Sequence, residues 1–237
     1  MKIRFTAFLV VFLGFFETAG AQSEFSAGLS ASDPIAAYQN AGLADGGFAN
    51  PGWGLYLHSR SSRSGWPAGL QVEFRFAYQN HAFNTAAMEA SFNPYFTSLY
   101  GDGAQTFVSA GKYQPFQISI GPHYRIILSE NWAVRISAGV GVLFANMDQV
   151  RFAITDPSGT TIGVQTLSTA SESLLSWYGG VRLSRGLSGP WSVGVFADYT
   201  GGESDVQADF DLPKDFQTKR PVHFLNSGVF LIYRLGE

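Results

Sequence analysis

The sequence predicts an all-β protein: an eight-stranded antiparallel up-and-down transmembrane β-barrel, preceded by a cleavable signal peptide. Three observations predict it. Apolar and polar residues alternate with a period of two over eight stretches, the period that places successive side chains on opposite faces of a strand. Connections between the stretches are alternately short and long, which is the rhythm of barrels that cross a membrane. Only 14% of residues are charged, against about 25% in typical soluble domains. A water-exposed surface needs more charge than that.

The first 21 residues read as an address. Lys2 and Arg4 precede the apolar run Phe5–Phe16, and Ala19-Gly20-Ala21 offers a small-x-small cleavage site, so residues 1–21 are expected to be removed before Gln22. The run is too short to span a bilayer as a helix, which takes about 20 residues. Residues 22–237 are then expected to form one barrel domain. The absence of cysteine excludes disulfides, thiolate catalysis, Cys-based metal sites and a lipid-anchored N-terminal Cys. The net charge of −3 gives no basis for nucleic-acid binding.

In chain order, the first strand spans 24–31, with Phe25, Ala27 and Leu29 opposite Glu24, Ser26 and Gly28. The second spans 52–60 and sets Trp53, Leu55 and Leu57 against Gly54, Tyr56, His58 and Arg60. The third is the clearest: Leu70, Val72, Phe74, Phe76 and Tyr78 alternate with Gln71, Glu73, Arg75, Ala77 and Gln79. The fourth opposes Phe116, Ile118, Ile120, Tyr124, Ile126 and Leu128 to Gln117, Ser119, Gly121, His123 and Arg125. In the fifth, Trp132 to Phe144 alternate with Ala133, Arg135, Ser137, Gly139 and Gly141. The sixth sets Leu175, Trp177, Val181 and Leu183 against Ser176, Tyr178, Gly180, Arg182 and Ser184. The seventh opposes Trp191, Val193, Val195 and Tyr199 to Ser192, Gly194, Asp198 and Thr200. The last, 222–235, is less clean, because Phe230 and Ile232 share the side of Asn226, Gly228 and Arg234. Residues 61–68, 129–131 and 186–190 are turns, and 32–51, 84–112, 145–172 and 201–221 are four long loops expected to face outside the cell. No helical period longer than a turn or two is read in residues 22–237.

Volume decides which face points out. An eight-stranded barrel has room inside only for side chains, and roughly 40 bulky residues would overfill it. The face rich in Gly, Ser and Ala suits the narrow bore, so the apolar face is expected to meet lipid. Trp132 and Trp191 directly follow short turns and Trp66 sits in one, where an aromatic girdle at the periplasmic interface is expected.

These features together resemble the small outer-membrane barrels of the OmpA-transmembrane-domain and OmpX kind, and more closely the single-domain outer-membrane β-barrel families of Gram-negative bacteria. The likeness is one of pattern over nearly the whole chain after residue 21. One departure is the end, Tyr233-Arg234-Leu235-Gly236-Glu237, where many such proteins finish on an aromatic residue read by the assembly machinery. The resemblance implies an integral outer-membrane monomer whose partners are outer-membrane lipids and the barrel assembly machinery, without a cofactor.

Within the bore the pattern places Glu24, Tyr56, His58, Arg60, Glu73, Arg75, His123, Arg125, Arg135, Tyr178, Arg182, Asp198 and Arg234. Buried charge is costly unless paired, so a structural network filling the bore is expected; a narrow conduit is the alternative. Arginines outnumber carboxylates there, with Arg60, Arg125, Arg135, Arg182 and Arg234 toward the periplasmic end, and an anion or ordered water would balance them. For catalysis, His58, His81, His123, His223, Asp198 and many serines supply residue types but no motif. A lipid-modifying hydrolase or acyltransferase is thus a third reading, and no catalytic or metal site is assigned. The loop 201–221 carries Glu203, Asp205, Asp209, Asp211 and Asp215, oxygens a calcium ion would use, but lacks EF-hand spacing and reads as a solvated acidic loop. Loop 84–112 carries Phe92, Tyr95, Phe96 and Tyr100, expected on the rim or in a recognition surface. Asp156-Pro-Ser-Gly159 reads as the tip of a hairpin that projects beyond the membrane. The functional expectation is a structural or surface-interaction role through the four long loops.

Overall fold

The computed structural model describes residues 23–39, 47–168, 172–205, 207–208 and 219–235. The expected signal peptide lies outside the described residues. Thirteen strands are described: β1 (Ser23–Pro34), β2 (Gly52–Ser61), β3 (Leu70–Ala82), β4 (Gln105–Ala110), β5 (Lys112–Tyr113), β6 (Phe116–Ile127), β7 (Trp132–Ala145), β8 (Val150–Thr155), β9 (Thr161–Ser168), β10 (Glu172–Gly186), β11 (Trp191–Asp205), β12 (Gln207–Ala208) and β13 (Lys219–Leu235). Eight of them close a barrel. The ladder runs β2-β1-β13-β11-β10-β7-β6-β3, and β3 pairs back to β2, every pairing antiparallel. Closure leaves no open strand edge, so the backbone groups of the wall bond to one another.

The wall is inverted relative to a protein dissolved in water. Leu29, Ile120, Ile136, Val140, Leu175, Val181, Val195 and Val229 lie on the outside, with Leu175 77% and Val140 59% exposed. Arg60, Glu73, Arg75, Arg135, Asp198 and Asn226 are fully buried inside. Such a band of apolar side chains around a charged interior is stable against hydrocarbon, where burying it would gain nothing, and unstable against water. The apolar face therefore meets lipid. Trp66, Trp132 and Trp191 ring the short-turn end, each about two-fifths exposed, with Trp191 4.7 Å from Tyr233 and Arg185 5.8 Å above Trp132. At the opposite end Trp53 packs 5.7 Å from Tyr78. Small residues on the inner face seat the large ones: a Cβ on Gly139 would fall 2.5 Å from the Tyr178 ring, and one on Gly194 2.6 Å from Phe230.

At the long-loop end the structure corrects two expectations. Residues 84–112 do not form an irregular loop. They form a helix, α1 (Thr85–Tyr100), followed by β4. Asn84 caps the helix by accepting a hydrogen bond from the Ala87 N–H at 3.1 Å, and Gly101 ends it with φ +99°. Met88, Phe92 and Phe96, four residues apart, form the stripe the helix buries. Pro94 sits on the exposed side of the helix. The second correction concerns 201–221: β11 continues to Asp205 and β13 begins at Lys219, so Glu203 and Asp205 lie on a strand. Asp209, Asp211 and Asp215 fall outside the described residues.

α1 packs on a second, four-stranded sheet ordered β12-β9-β8-β4. The expected hairpin is β8–β9, and its Val150, Phe152 and Ile154 are fully buried against Phe48, Met88, Phe92 and Phe96. This cap has its apolar core inside, beneath α1, although Leu99, Phe107, Ile162 and Val164 remain exposed on its surface. β4 is the outermost strand of its sheet, yet its edge is closed: the Thr106 N–H donates to Asn93 Oδ1 at 3.0 Å and the Val108 N–H to Glu89 Oε1 at 2.8 Å, both on α1.

Candidate functional site

Two regions carry the chemistry: the bore and the cap above it. Along each barrel strand the inward positions recur every second residue, and in the bore they bring together three carboxylates on three strands. Glu73 of β3 is the hub. It accepts from Arg60 Nε at 2.7 Å, Arg182 Nη1 at 3.0 Å and the Tyr178 hydroxyl at 3.2 Å, with His58 Nδ1 at 3.3 Å and His123 Nδ1 at 3.5 Å. Asp198 of β11 lies 3.3 Å from Arg182 Nη2 and 3.6 Å from Arg75 Nη2. Arg75 is held between two rings, its guanidinium carbon 4.9 Å from the centre of Tyr56 and 4.7 Å from that of Tyr178, and it donates to Gln117 Oε1 at 2.7 Å. Glu24 of β1 faces four arginines near the short-turn end: Arg234 Nε at 3.2 Å, Arg135 Nη2 at 3.3 Å, Arg125 Nη1 at 3.6 Å and Arg60 Nη1 at 3.8 Å. Arg135 also donates to the Ser184 hydroxyl, and Arg182 to that of Ser137.

These contacts touch all eight strands of the barrel. Glu24, His58, Glu73, His123, Arg135, Arg182, Asp198 and Arg234 sit on β1, β2, β3, β6, β7, β10, β11 and β13 respectively. Removing any one carboxylate would take a counter-charge from two or more guanidinium groups in a low-dielectric interior, where breaking a buried pair is expensive. Arg60, Arg125, Arg135 and Arg234 cluster at the short-turn end around Glu24, while Arg182 is held higher, between Glu73 and Asp198.

Beside the ionic network the bore is filled by Tyr56, Ala77, Phe196, Phe230 and Ile232, so the two residues that disturbed the last strand's alternation are interior packing. At the long-loop end a second group closes the mouth. Tyr38 lies in a 3-10 turn, Ala36–Tyr38, and packs with Ala49, Leu143, Val222 and Phe224. Its ring meets Phe224 edge-on at 5.0 Å and Tyr113 at 5.2 Å, and Phe224 stacks on His81 at 4.9 Å. Burial, together with the nearby Tyr113, pushes the Tyr38 phenol well above its usual range, so this stopper is uncharged. Sequence reasoning missed it, although Leu143 and Phe224 are bulky apolar residues at inward positions of their strands, Leu143 after the small Gly139 and Gly141 and Phe224 two residues before Asn226. That mismatch was the available signal.

The proposed recognition aromatics are rearranged. Phe92 and Phe96 are wholly buried in the cap, and Tyr95 and Tyr100 are half-buried, the latter accepting from Gln165 Nε2 at 2.9 Å. They build the cap and do not form an exposed face, because α1 turns its aromatic stripe onto β8. The face of the sheet turned away from α1 carries Phe107, Ala153 and Val164 in one cross-strand row, with Phe107 52% exposed. At the hairpin tip, Asp156 accepts from the Ser158 hydroxyl at 2.6 Å and from the Ser158 and Thr160 N–H groups at 2.9 Å. These bonds, the Ser158 hydroxyl first, hold its carboxyl below the usual range. Among the described residues no group of three or more His, Asp or Glu is placed to hold a metal ion.

No family model matches the chain, and no curated protein matches it. Solved structures do. Neisserial surface protein A is 8% identical, with a TM-score of 0.48 over 91% of this chain and 99% of that one. A major outer membrane protein from Thermus thermophilus is 15% identical, with a TM-score of 0.47 over 90% and 99%. Ail, the attachment invasion locus protein of Yersinia pestis, is 14% identical, with a TM-score of 0.44 over 91% and 99%. The chain is similar to these proteins in fold.

Proposed function

We propose that the chain is an integral outer-membrane protein whose filled barrel anchors an ordered extracellular cap, and that the cap makes a surface or partner contact. The short turns then face the periplasm and the long loops the exterior, and the barrel stands in the membrane as a monomer inserted by the barrel assembly machinery. One observation carries the reading: two of the long connections, over residues 85–110 and 150–168, are not loose but fold into a helix-on-sheet unit with its own apolar core. A rigid platform presents its surface at low entropic cost to a partner. The exposed row Phe107–Ala153–Val164 replaces Phe92 and Phe96 as the face to test.

The conduit reading finds no support in a bore packed with side chains and stoppered at Tyr38. A planar bilayer holding the purified chain is expected to show no discrete conductance. The functional test uses whole cells bearing the intact chain, the Phe107→Asp variant, or a version whose 150–168 hairpin is replaced by a short turn. Attachment or cell aggregation that falls with both changes, while the barrel keeps its heat-modifiable gel migration, supports the reading. Attachment indifferent to both changes overturns the role of the cap.

A further inference from the structure

The apolar band around the barrel is not the same height on every side. On β7 each outward position from Trp132 to Phe144, twelve residues on, is apolar. β1 stands directly across the ring, four strands away in either direction. Its outward run covers only Phe25 to Ala31, six residues, and is closed off by Ser23 and Asp33. The next two facing pairs repeat the inequality. β6 runs ten residues, from Phe116 to Ile126, against six on β13, from Val229 to Leu235, where Ser227 interrupts it. β10 runs eight, from Leu175 to Leu183, against four on β2, from Trp53 to Leu57, where Ser59 and Ser61 follow. In the last pair, β3 and β11, both runs are eight. The band thus declines steadily from β7 to the opposite wall.

With a rise of about 3.3 Å per residue and a tilt of about 40°, twelve residues cross about 30 Å of membrane and six cross about 15 Å. The tall side fits an average hydrocarbon core of about 30 Å. The short side reaches half of it. Leaning the barrel would raise one wall and lower the other while changing neither height. Either polar outward groups enter hydrocarbon, or the lipid comes in to meet the band. Asp33 is exposed at the end of β1 and opposes the first, since a carboxylate in hydrocarbon is costly. Bilayers, by contrast, deform at modest cost per ångström. We propose that the barrel thins the bilayer locally along β1, β2 and β13 and leaves it at full height along β6 and β7.

The occupant of the short sector is lipid because that sector continues the lipid-facing wall without a break. Leu29 on β1 is 59% exposed and Trp53 on β2 is 51% exposed, as Val140 is on the tall side at 59%. What changes around the ring is how far that apolar surface extends. The inference deepens the membrane reading above and rests on it.

The test places nitroxides, one at a time, on every outward position of β1 and β7 in the full chain, reconstituted at high dilution in phosphatidylcholine vesicles. The stretch that oxygen reaches and a water-soluble nickel chelate does not is expected to cover about twice as many positions on β7 as on β1. Stretches of equal length would overturn the thinning. Spin–spin broadening at a Ser59→Cys label in the same dilute vesicles would also overturn it, because a second copy would then cover the short sector. A second measurement varies the lipid. Ser59→Leu with Ser61→Leu doubles the run on β2 from four residues to eight. The intact chain is expected to have its highest urea midpoint in short-chain, twelve-carbon vesicles, and the double variant to shift that optimum toward longer chains. An optimum that stays in place, with both proteins keeping their heat-modifiable gel migration, overturns the proposal. A chain that enters no vesicle at all overturns the membrane reading itself.

Discussion

The bore and the cap are built from the same chain by opposite rules. In the barrel, Arg60, Glu73, Arg75 and Asp198 are buried while Leu175 and Val140 face outward; in the cap, Phe92, Phe96 and Phe152 are buried and Pro94 and Ser98 face outward. The difference teaches that neither arrangement follows from the residues alone. Each follows from the solvent. Beside hydrocarbon, apolar side chains lose nothing by exposure and charges must find one another inside; in water, apolar burial is the main stabilising term and charges go outside. The change of rule falls where the barrel strands end and the 3-10 turn with Tyr38 closes the mouth.

The sharpest way to break this contrast is at the hub of the bore. Glu73→Ala leaves Arg60 and Arg182 without their nearest counter-charge and should cost on the order of 3–5 kcal/mol. The expected readout is a lower urea midpoint for loss of the compact, heat-modifiable gel band. In the cap, Phe92→Ala should cost a similar or smaller amount, about 3–5 kcal/mol by cavity formation, but only locally. Protease should then nick residues 85–168 while the barrel band survives. A pair of charge insertions sharpens the comparison: Val140→Arg, mid-wall, should lose about 2–4 kcal/mol in vesicles, whereas Val164→Arg, on the cap's exposed sheet face, should be near neutral. Asn93→Ala, which strips one side-chain acceptor from the β4 edge, should cost about 1 kcal/mol and raise amide exchange at Thr106.

The smallest effect is electrostatic. Because the folded Asp156 carboxyl is held below its unfolded value, its contribution to the hairpin tip is fully present above the ordinary carboxylate range and is lost only as pH falls through the lowered value. Amide shifts of Ser158 and Thr160 followed against pH should move in that acid window in the intact chain and stay flat in Asp156→Asn.

The barrel could be read from the sequence because its signal is local and repeated. A period of two along β3, for instance, puts Glu73 and Arg75 on one face without knowledge of any other strand, and the small volume of an eight-stranded bore then turns that face inward. Membership of the bore followed from parity, but the contacts did not, because pairing Glu24 with Arg135 or Glu73 with Arg182 depends on barrel register and on side chains meeting across more than one hundred residues of sequence. The cap was the harder part for a physical reason. Asn93-Pro94 reads as a helix breaker, yet the missing bond falls on the solvent side of α1, while the helical spacing of Met88, Phe92 and Phe96 and the Asn84 cap pointed to the helix. The aromatics there looked exposed because the sheet that covers them is assembled from three separate connections.

Lipid contact by the outer wall is the claim on which the rest depends, and the absence of cysteine permits a direct probe. A single nitroxide placed through Val140→Cys, in the chain reconstituted into phospholipid vesicles, reports collisions with oxygen, which concentrates in hydrocarbon, and with a water-soluble nickel chelate, which does not. The expected result is strong oxygen broadening with little effect of the chelate, reversed for a label at Phe107→Cys in the cap. Free access of the chelate to position 140 would contradict the inverted barrel.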